Sequence, residues 1–183
     1  MTDIDGMLCG EKTYSFETAD VKFELIFGGV FAEDYDAGCP YNTVFYVNVD
    51  SYGFRGNSEW TVDFCEFQKF ACEMNKLYGD LKGETELKDR EYGSALAVKC
   101  DRKGHFTFNG KLVSGTFQKL EFNFSVDQTF LGQFVKNLFN DYGKDFLPKQ
   151  TKKENKNGDL DLGKSKIKTV TERIFCRNKQ KNK

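Results

Sequence analysis

The chain has 183 residues, of which 39% are hydrophobic and 15% aromatic, with 19 Phe but only 2 Pro. This composition is typical of one folded domain with its own core, and it excludes a disordered chain. A single His and a single Trp leave little material for histidine-based catalysis, whereas the many Phe rings predict an aromatic core.

The cysteines and the N-terminal sequence indicate where the protein works. Six cysteines are present, and no two of them form a C-x-x-C pair. The first residues, MTDIDGMLCGEKTYSF, contain neither a basic start nor an apolar run, so no signal peptide is predicted. No segment approaches the roughly 18 apolar residues of a membrane span. We therefore expect a cytoplasmic protein with reduced thiols, without membrane contact, cofactor or metal; zinc is a poor alternative because the ligand spacing is wrong.

The net charge of −1 conceals an uneven distribution along the chain. Residues 148–183 contain twelve Lys or Arg and four Asp or Glu, a net of +8. The remaining 15 Lys or Arg and 24 Asp or Glu give residues 1–147 a net of −9. An acidic body followed by a basic tail is informative about partners, although not about fold.

Hydrophobic periodicity predicts three strands and a helix in the first half. Residues 21–29, 43–51 and 54–62 alternate apolar and polar side chains, with a turn at YGFRG before the third strand. An acidic loop, VFAEDYDAGCPYN, separates the first two strands. Apolar residues then recur at spacings of three and four over residues 64–78, which predicts an amphipathic helix.

The second half is predicted to repeat strands followed by a helix. The polar stretch GDLKGETELKDREYG is interpreted as a loop, SALAVKC as a strand, DRKG as a turn and HFTF as a short strand. Asn109-Gly110 is the strongest hairpin signal in the chain. TFQKLEFNFSV follows as a long strand with a possible bulge near Gln118 and Lys119. The second helix is predicted over residues 128–142, with Phe130 among the apolar residues that face inward.

Two segments of the chain resemble each other at an offset of 64 residues. TVDFCEFQKFACEMNKLYG at 61–79 and SVDQTFLGQFVKNLFNDYG at 125–143 share an aspartate, an apolar pattern and a terminal Tyr-Gly. Asp63 and Asp127 are placed as helix N-caps, and Gly79 and Gly143 stand where a C′ glycine belongs. Glu66 has capping-box spacing to Asp63. Both a duplicated unit and independent helix-end signals explain the similarity, and both remain open.

The order of these elements and two of the segments resemble a known protein family. The strand-rich start, the helix beginning DFCEFQKF, and the segment LEFNFSVDQTFLGQFVKNLFNDY resemble the WapI-type immunity family of bacterial contact-dependent toxin systems. The match rests on Asp127, Gln128, Thr129 and Leu131 and covers roughly residues 20–145. The resemblance implies a non-catalytic protein that binds and neutralises a cognate toxin, often a nuclease. It also implies an α+β fold, which agrees with the element pattern.

We therefore predict one α+β domain over residues 1–147, an antiparallel sheet with two amphipathic helices, and a flexible basic tail over residues 148–183. The sequence leaves the oligomeric state open.

Two acidic clusters with tyrosines are the predicted partner-binding residues. The acidic body suits a basic toxin, since opposite charge speeds encounter, and tyrosine is a common interface anchor. The predicted residues are Glu33, Asp34, Tyr35, Asp36, Glu84, Glu86, Asp89, Glu91 and Tyr92. Ordinary solvated loops are the competing interpretation of both clusters.

An enzyme is disfavoured, and a second binding function remains open. No nucleophile elbow, phosphate-binding loop or zinc-protease motif is present. His105 has no Ser or Cys motif beside it, so no catalytic residue is predicted. The alternative function is a nucleic-acid-associated accessory protein that uses the basic tail at residues 148–183. That tail contains a single aromatic residue, Phe175, which makes base stacking a poor expectation.

Overall fold

The computed structural model describes residues 7–31, 42–115 and 118–146. Within these residues the chain forms eight strands, two α-helices and one short 3₁₀-helix, Gly143–Phe146. The strands are β1 Met7–Glu17, β2 Val21–Phe31, β3 Asn42–Ser51, β4 Phe54–Asp63, β5 Lys82–Lys88, β6 Ala95–Asp101, β7 His105–Ser114 and β8 Gln118–Asp127. The helices are α1 Phe64–Asp80 and α2 Gln128–Asp141.

The strands form two antiparallel sheets of four, in the orders β1-β2-β3-β4 and β5-β6-β7-β8. The predicted α+β class is confirmed, although the sequence predicts one sheet rather than two. Each sheet is a meander that runs directly into a helix, so the order ββββα occurs twice. The two similar segments at 61–79 and 125–143 are the matching β4–α1 and β8–α2 junctions. The repeated topology favours duplication over independent helix-end signals.

The first sheet contains one strand that the periodicity did not predict and one turn that it did. β1 precedes the first predicted strand and pairs with β2, with a register shift between Cys9 and Lys12. The turn from β3 to β4 consists of Tyr52 and Gly53, whose φ angles of 51° and 86° are left-handed. A two-residue hairpin turn requires such angles, and the glycine adopts them without strain.

The predicted hairpin at Asn109-Gly110 is wrong. Both residues lie inside β7, which pairs with β8 without a register shift from Ser114 opposite Gln118 to His105 opposite Asp127. Gly110 lies opposite Phe122, and a Cβ added at Gly110 would overlap the Phe122 ring. The glycine therefore makes room for an aromatic ring. The unbroken register also excludes the bulge predicted at Gln118 and Lys119.

Both helices start at the predicted caps, and α2 ends with Tyr142 as C-cap and Gly143 at the predicted C′ position, whereas α1 ends later than predicted. The Asp63 carboxylate accepts hydrogen bonds from Cys65 N and Glu66 N, and Asp127 accepts one from Thr129 N. Glu66 pairs with Lys69. Helix α1 runs through Gly79 and ends at Leu81, whose φ of 53° is left-handed. Gly143 also allows close approach to α1, since a Cβ there would lie 3.2 Å from the backbone of Ala71.

Aromatic rings join the two sheets and the helices in one core. Phe16 of β1 contacts Phe108 of β7 with ring centroids 5.0 Å apart, and Phe45 of β3 lies 4.1 Å from Phe67 of α1. Tyr142, at the end of α2, packs edge-on against Phe67 at 5.0 Å. Phe130 was predicted to face this core, but its side chain is 48% exposed because it lies on the outer side of the first turn of α2.

A buried polar contact also links the sheets. The Ser58 hydroxyl of β4 donates to the carbonyl of Val113 in β7 at 2.6 Å, and Val113 N donates to the Ser94 hydroxyl at 2.9 Å. The two hydroxyls lie 3.3 Å apart. Since buried polar groups need partners, this cluster fixes where β4 crosses the second sheet.

Candidate partner-binding surface

The second predicted acidic cluster lies partly on a strand rather than in a loop. Glu84 and Glu86 are exposed residues of β5 and alternate with the buried Thr85 and Leu87. The sequence GETELK has this period of two, but its polar composition led to the interpretation as a loop. The two glutamates therefore project from the solvent face of the second sheet, held in place by strand pairing.

The remaining members of this cluster lie in the connection between β5 and β6. Glu91 and Tyr92 are exposed, Tyr92 by 58%. Asp89 is only 7% exposed and differs from the others in its role. Its carboxylate accepts hydrogen bonds from Thr61 N at 2.9 Å, Glu91 N at 3.3 Å and Tyr92 N at 2.6 Å.

Asp89 therefore positions the loop that carries the exposed residues. Arg90 N also donates to the carbonyl of Thr61 at 2.8 Å, so the loop is bound to the outer edge of β4. A buried carboxylate that accepts backbone N–H groups fixes the backbone around it. Sequence reasoning grouped Asp89 with the contact residues because the pairing of this loop with β4 is not visible in the sequence.

A groove of about 1070 Å³ opens beside Glu84 and Glu86. α1 lines one side and β5 the other, and the lining also includes residues of β6 and β7 such as Ala97, Thr107 and Asn109. The charged residues of the lining are Asp63, Glu66, Lys69, Glu73, Glu84, Glu86, Lys88, Asp89, Arg90 and Lys99. Six acids against four bases make the groove acidic.

Internal ion pairs neutralise part of this charge. Lys69 lies 3.4 Å from Glu66, and Lys88 lies 2.8 Å from Glu86. Glu73 accepts a hydrogen bond from the Thr85 hydroxyl at 2.7 Å, which joins the two walls. These exposed pairs contribute little to stability, so their groups can exchange partners when another charged surface approaches.

A second exposed feature was missed by the sequence analysis. Tyr52 and Phe54, at the β3–β4 turn, are 66% and 72% exposed. A shallow depression of about 790 Å³ lies beside Tyr52, lined by acids that include Glu17, Asp20 and Asp50. Two aromatic residues within the SYGF turn were the available signal, because turns lie on the protein surface.

The outer face of this first sheet has a charge network of its own. Glu17, Lys22, Asp50 and Arg55 lie opposite one another in one row across the four strands, so the signs alternate. Arg55 Nε lies 2.6 Å from Asp50. In the next row, hydrogen bonds from Lys22 and Asn48 lower the pKa of Glu24. This face therefore satisfies many of its charges internally.

Some predicted residues cannot be placed. Glu33, Asp34, Tyr35 and Asp36 lie outside the described residues, as does the basic tail at 148–183. The structure consequently brings together one of the two predicted clusters.

Across residues 7–31, 42–115 and 118–146, no group of three His, Cys, Asp or Glu could hold a metal ion. Burial raises the pKa of the Cys65 and Cys72 thiols. The Nδ1 of His105 lies 2.9 Å from Asp101 Oδ2 at an exposed turn. Neither helix of the described part has the length and apolar character to cross a membrane.

Comparisons with known proteins give one match. A sequence model of the immunity protein WapI-like family matches residues 15–144, from β1 to the 3₁₀-helix. No curated protein and no solved structure matches the chain.

Proposed function

The chain belongs to the WapI-like immunity protein family, and from this premise we propose that it binds a cognate toxin domain and neutralises it by occlusion, without catalysis. The family match carries this proposal. It extends over both sheets and both helices, so the folded body as a whole is the immunity unit.

The acidic groove is the proposed toxin-binding surface. Glu84 and Glu86 are exposed on a strand, and Tyr92 is 58% exposed on a loop that Asp89 fixes in place. Rigid acidic groups and an exposed tyrosine suit an interface with a basic protein. Because the strand and the loop are already ordered, binding loses little conformational entropy on this side. The groove walls can receive Lys or Arg side chains of the toxin.

A nuclease is the proposed toxin class. An enzyme that cuts nucleic acid needs a basic cleft for the phosphate backbone. A body with a net charge of −9 over residues 1–147 is attracted to such a cleft and can cover it. Occlusion requires one tight complex and no chemistry on the inhibitor.

The partner can be identified by function as well as by capture. The full chain with an affinity tag would be used to isolate its partner from the native cells. The captured protein would then be expressed alone in a test strain. We expect growth arrest that co-expression of the chain relieves; a partner that does not arrest growth, or arrest that the chain does not relieve, would refute the immunity function.

Charge reversal tests the groove. We expect Glu84→Lys with Glu86→Lys to weaken toxin affinity by about tenfold or more, since the β5 side of the groove then repels a basic partner. The matched control is Glu11→Lys with Glu59→Lys, two exposed residues of the first sheet that change net charge by the same amount. Toxin affinity would be measured by calorimetry. An equal loss of affinity in both double variants would assign the effect to net charge and not to the groove.

A further inference from the structure

Among the described residues, three of the four edge strands are held against another part of the chain by hydrogen bonds. β1 lies against α2, where the Tyr14 hydroxyl donates to Asp141 at 3.0 Å. β4 binds the loop that contains Asp89 and Arg90. β5 lies against α1, with the bond between Thr85 and Glu73.

The fourth edge strand, β8, has no such hydrogen bond along its outer edge to the rest of the described chain. β8 ends the order β5-β6-β7-β8, and among the described residues its backbone makes no strand pairing except with β7. The strand is ten residues long, contains no proline and keeps an unbroken register. Such an edge offers unpaired N–H and C=O groups as a template for another strand, and bulges, prolines or inward charges usually prevent this. None of these three features occurs in β8, although its exposed charges, Lys119, Glu121 and Asp127, disfavour any register that brings like charges together.

The side chains of β8 fit a second, antiparallel copy of the same strand. If Asn123 lies on the two-fold axis, Lys119 of each copy lies opposite Asp127 of the other. On the same solvent face, Glu121 then lies opposite Ser125, which avoids contact between like charges. On the inner face, Leu120 lies opposite Val126.

This register also uses nearly the whole strand. It pairs residues 119–127 of both copies, and the inner-face row includes Phe122 opposite Phe124. The other register that gives opposite charges, Lys119 facing Glu121, pairs only residues 118–122 and leaves Asp127 alone. Isologous contacts of this kind are self-complementary, which is the usual geometry of a homodimer.

We propose that β8 pairs with β8 of a second copy of this chain, so that the two second sheets join into one continuous eight-stranded sheet. This interface lies at the opposite edge of the sheet from β5, and no residue of β8 lines the proposed toxin-binding groove. The contact is short, and such small interfaces give reversible association that depends on concentration.

Sedimentation velocity of the full chain over a concentration series tests the proposal directly. We expect a reversible monomer–dimer equilibrium for the natural chain. Lys119→Glu places a carboxylate opposite Asp127 of the other copy and is expected to abolish the dimer. The matched control, Lys99→Glu, lies on the same solvent face but on the inner strand β6, and the dimer is expected to persist. A monomer at every concentration would overturn the proposal, as would a dimer that survives Lys119→Glu.

Cross-linking tests the register independently. Asn123→Cys places two thiols at the two-fold axis, so a short bismaleimide reagent is expected to produce a covalent dimer. Asn109→Cys is the control, because Asn109 lies opposite Asn123 in the same sheet but on the inner strand β7. The natural chain, which has six cysteines of its own, gives the background level of cross-linking. Equal cross-linking of both variants, or of neither, would exclude the β8 interface.

Discussion

Among single residues, Asp89 has the clearest intramolecular role. Its buried carboxylate bonds the N–H groups of Thr61, Glu91 and Tyr92. We expect Asp89→Ala to lower the free energy of unfolding by about 2–3 kcal/mol, because buried amides lose a charged acceptor. Urea denaturation measures this. Glu91→Ala, at the exposed neighbouring position, is the control and is expected to change stability by no more than about 0.5 kcal/mol. Equal losses would contradict the assigned role.

Among single residues, Asp101 should also make the free energy of unfolding depend on pH. The hydrogen bond from His105, followed by the N–H of Lys103, lowers the pKa of Asp101 to about 2, from an ordinary value of 3.8. Because the folded-state pKa is the lower one, this carboxylate stabilises the fold above about pH 4 and loses that contribution as the pH falls towards 2. The difference in unfolding free energy between the natural chain and Asp101→Asn should therefore shrink between pH 5 and pH 2. A difference that stays constant with pH would show that ionisation of Asp101 does not contribute to stability.

Two glycines predict opposite effects at the scale of the elements. Gly110 lies under the Phe122 ring in β7, so Gly110→Ala overpacks the sheet and should cost about 1–3 kcal/mol. Gly79 lies in α1, and a Cβ there would meet no atom within 4 Å. Gly79→Ala should stabilise the protein by up to about 1 kcal/mol, since alanine is the better helix former. Thermal denaturation distinguishes the two signs, and a stabilising Gly110→Ala would contradict the strand assignment.

The elements differ in how much local sequence specifies them. Helices α1 and α2 were predictable because their apolar spacing and aspartate caps are local signals, and β8 because Phe122, Phe124 and Val126 alternate along it. β5 was mistaken for a loop since an edge strand covered by α1 buries only Thr85 and Leu87. Asn109-Gly110 was mistaken for a turn. Position 110 requires glycine because the Phe122 ring occupies the space of a Cβ, and Phe122 lies on another strand.

On the scale of the whole molecule, the two ββββα units should unfold together. Phe16 and Phe23 of the first sheet both contact Phe108 of the second, and the buried Ser58–Ser94–Val113 cluster joins the sheets. The single Trp60 lies fully buried in the first sheet and reports on it alone. We expect its fluorescence and the far-ultraviolet circular dichroism to change at the same urea concentration. Separate transitions would show that each unit folds independently.

The candidate site was only partly accessible from the sequence. The acidic charge of the body and the grouping of Glu84, Glu86, Glu91 and Tyr92 follow from composition and proximity along the chain. The groove does not, because α1 forms one of its walls and no local pattern places α1 beside β5. The exposed Tyr52 and Phe54 were likewise hidden, since burial is a property of the folded surface.

The sequence by itself determined the α+β class, the two capped helices, the uneven charge and the resemblance to immunity proteins. These follow from spacings and residue types over short stretches, where helix and strand periodicity act directly. Only the tertiary structure decided that the described strands form two sheets, that Asp89 is structural and that β8 lies at a sheet edge. Those depend on which distant segments pack together, and that choice is made by burial of the shared aromatic core rather than by any local signal.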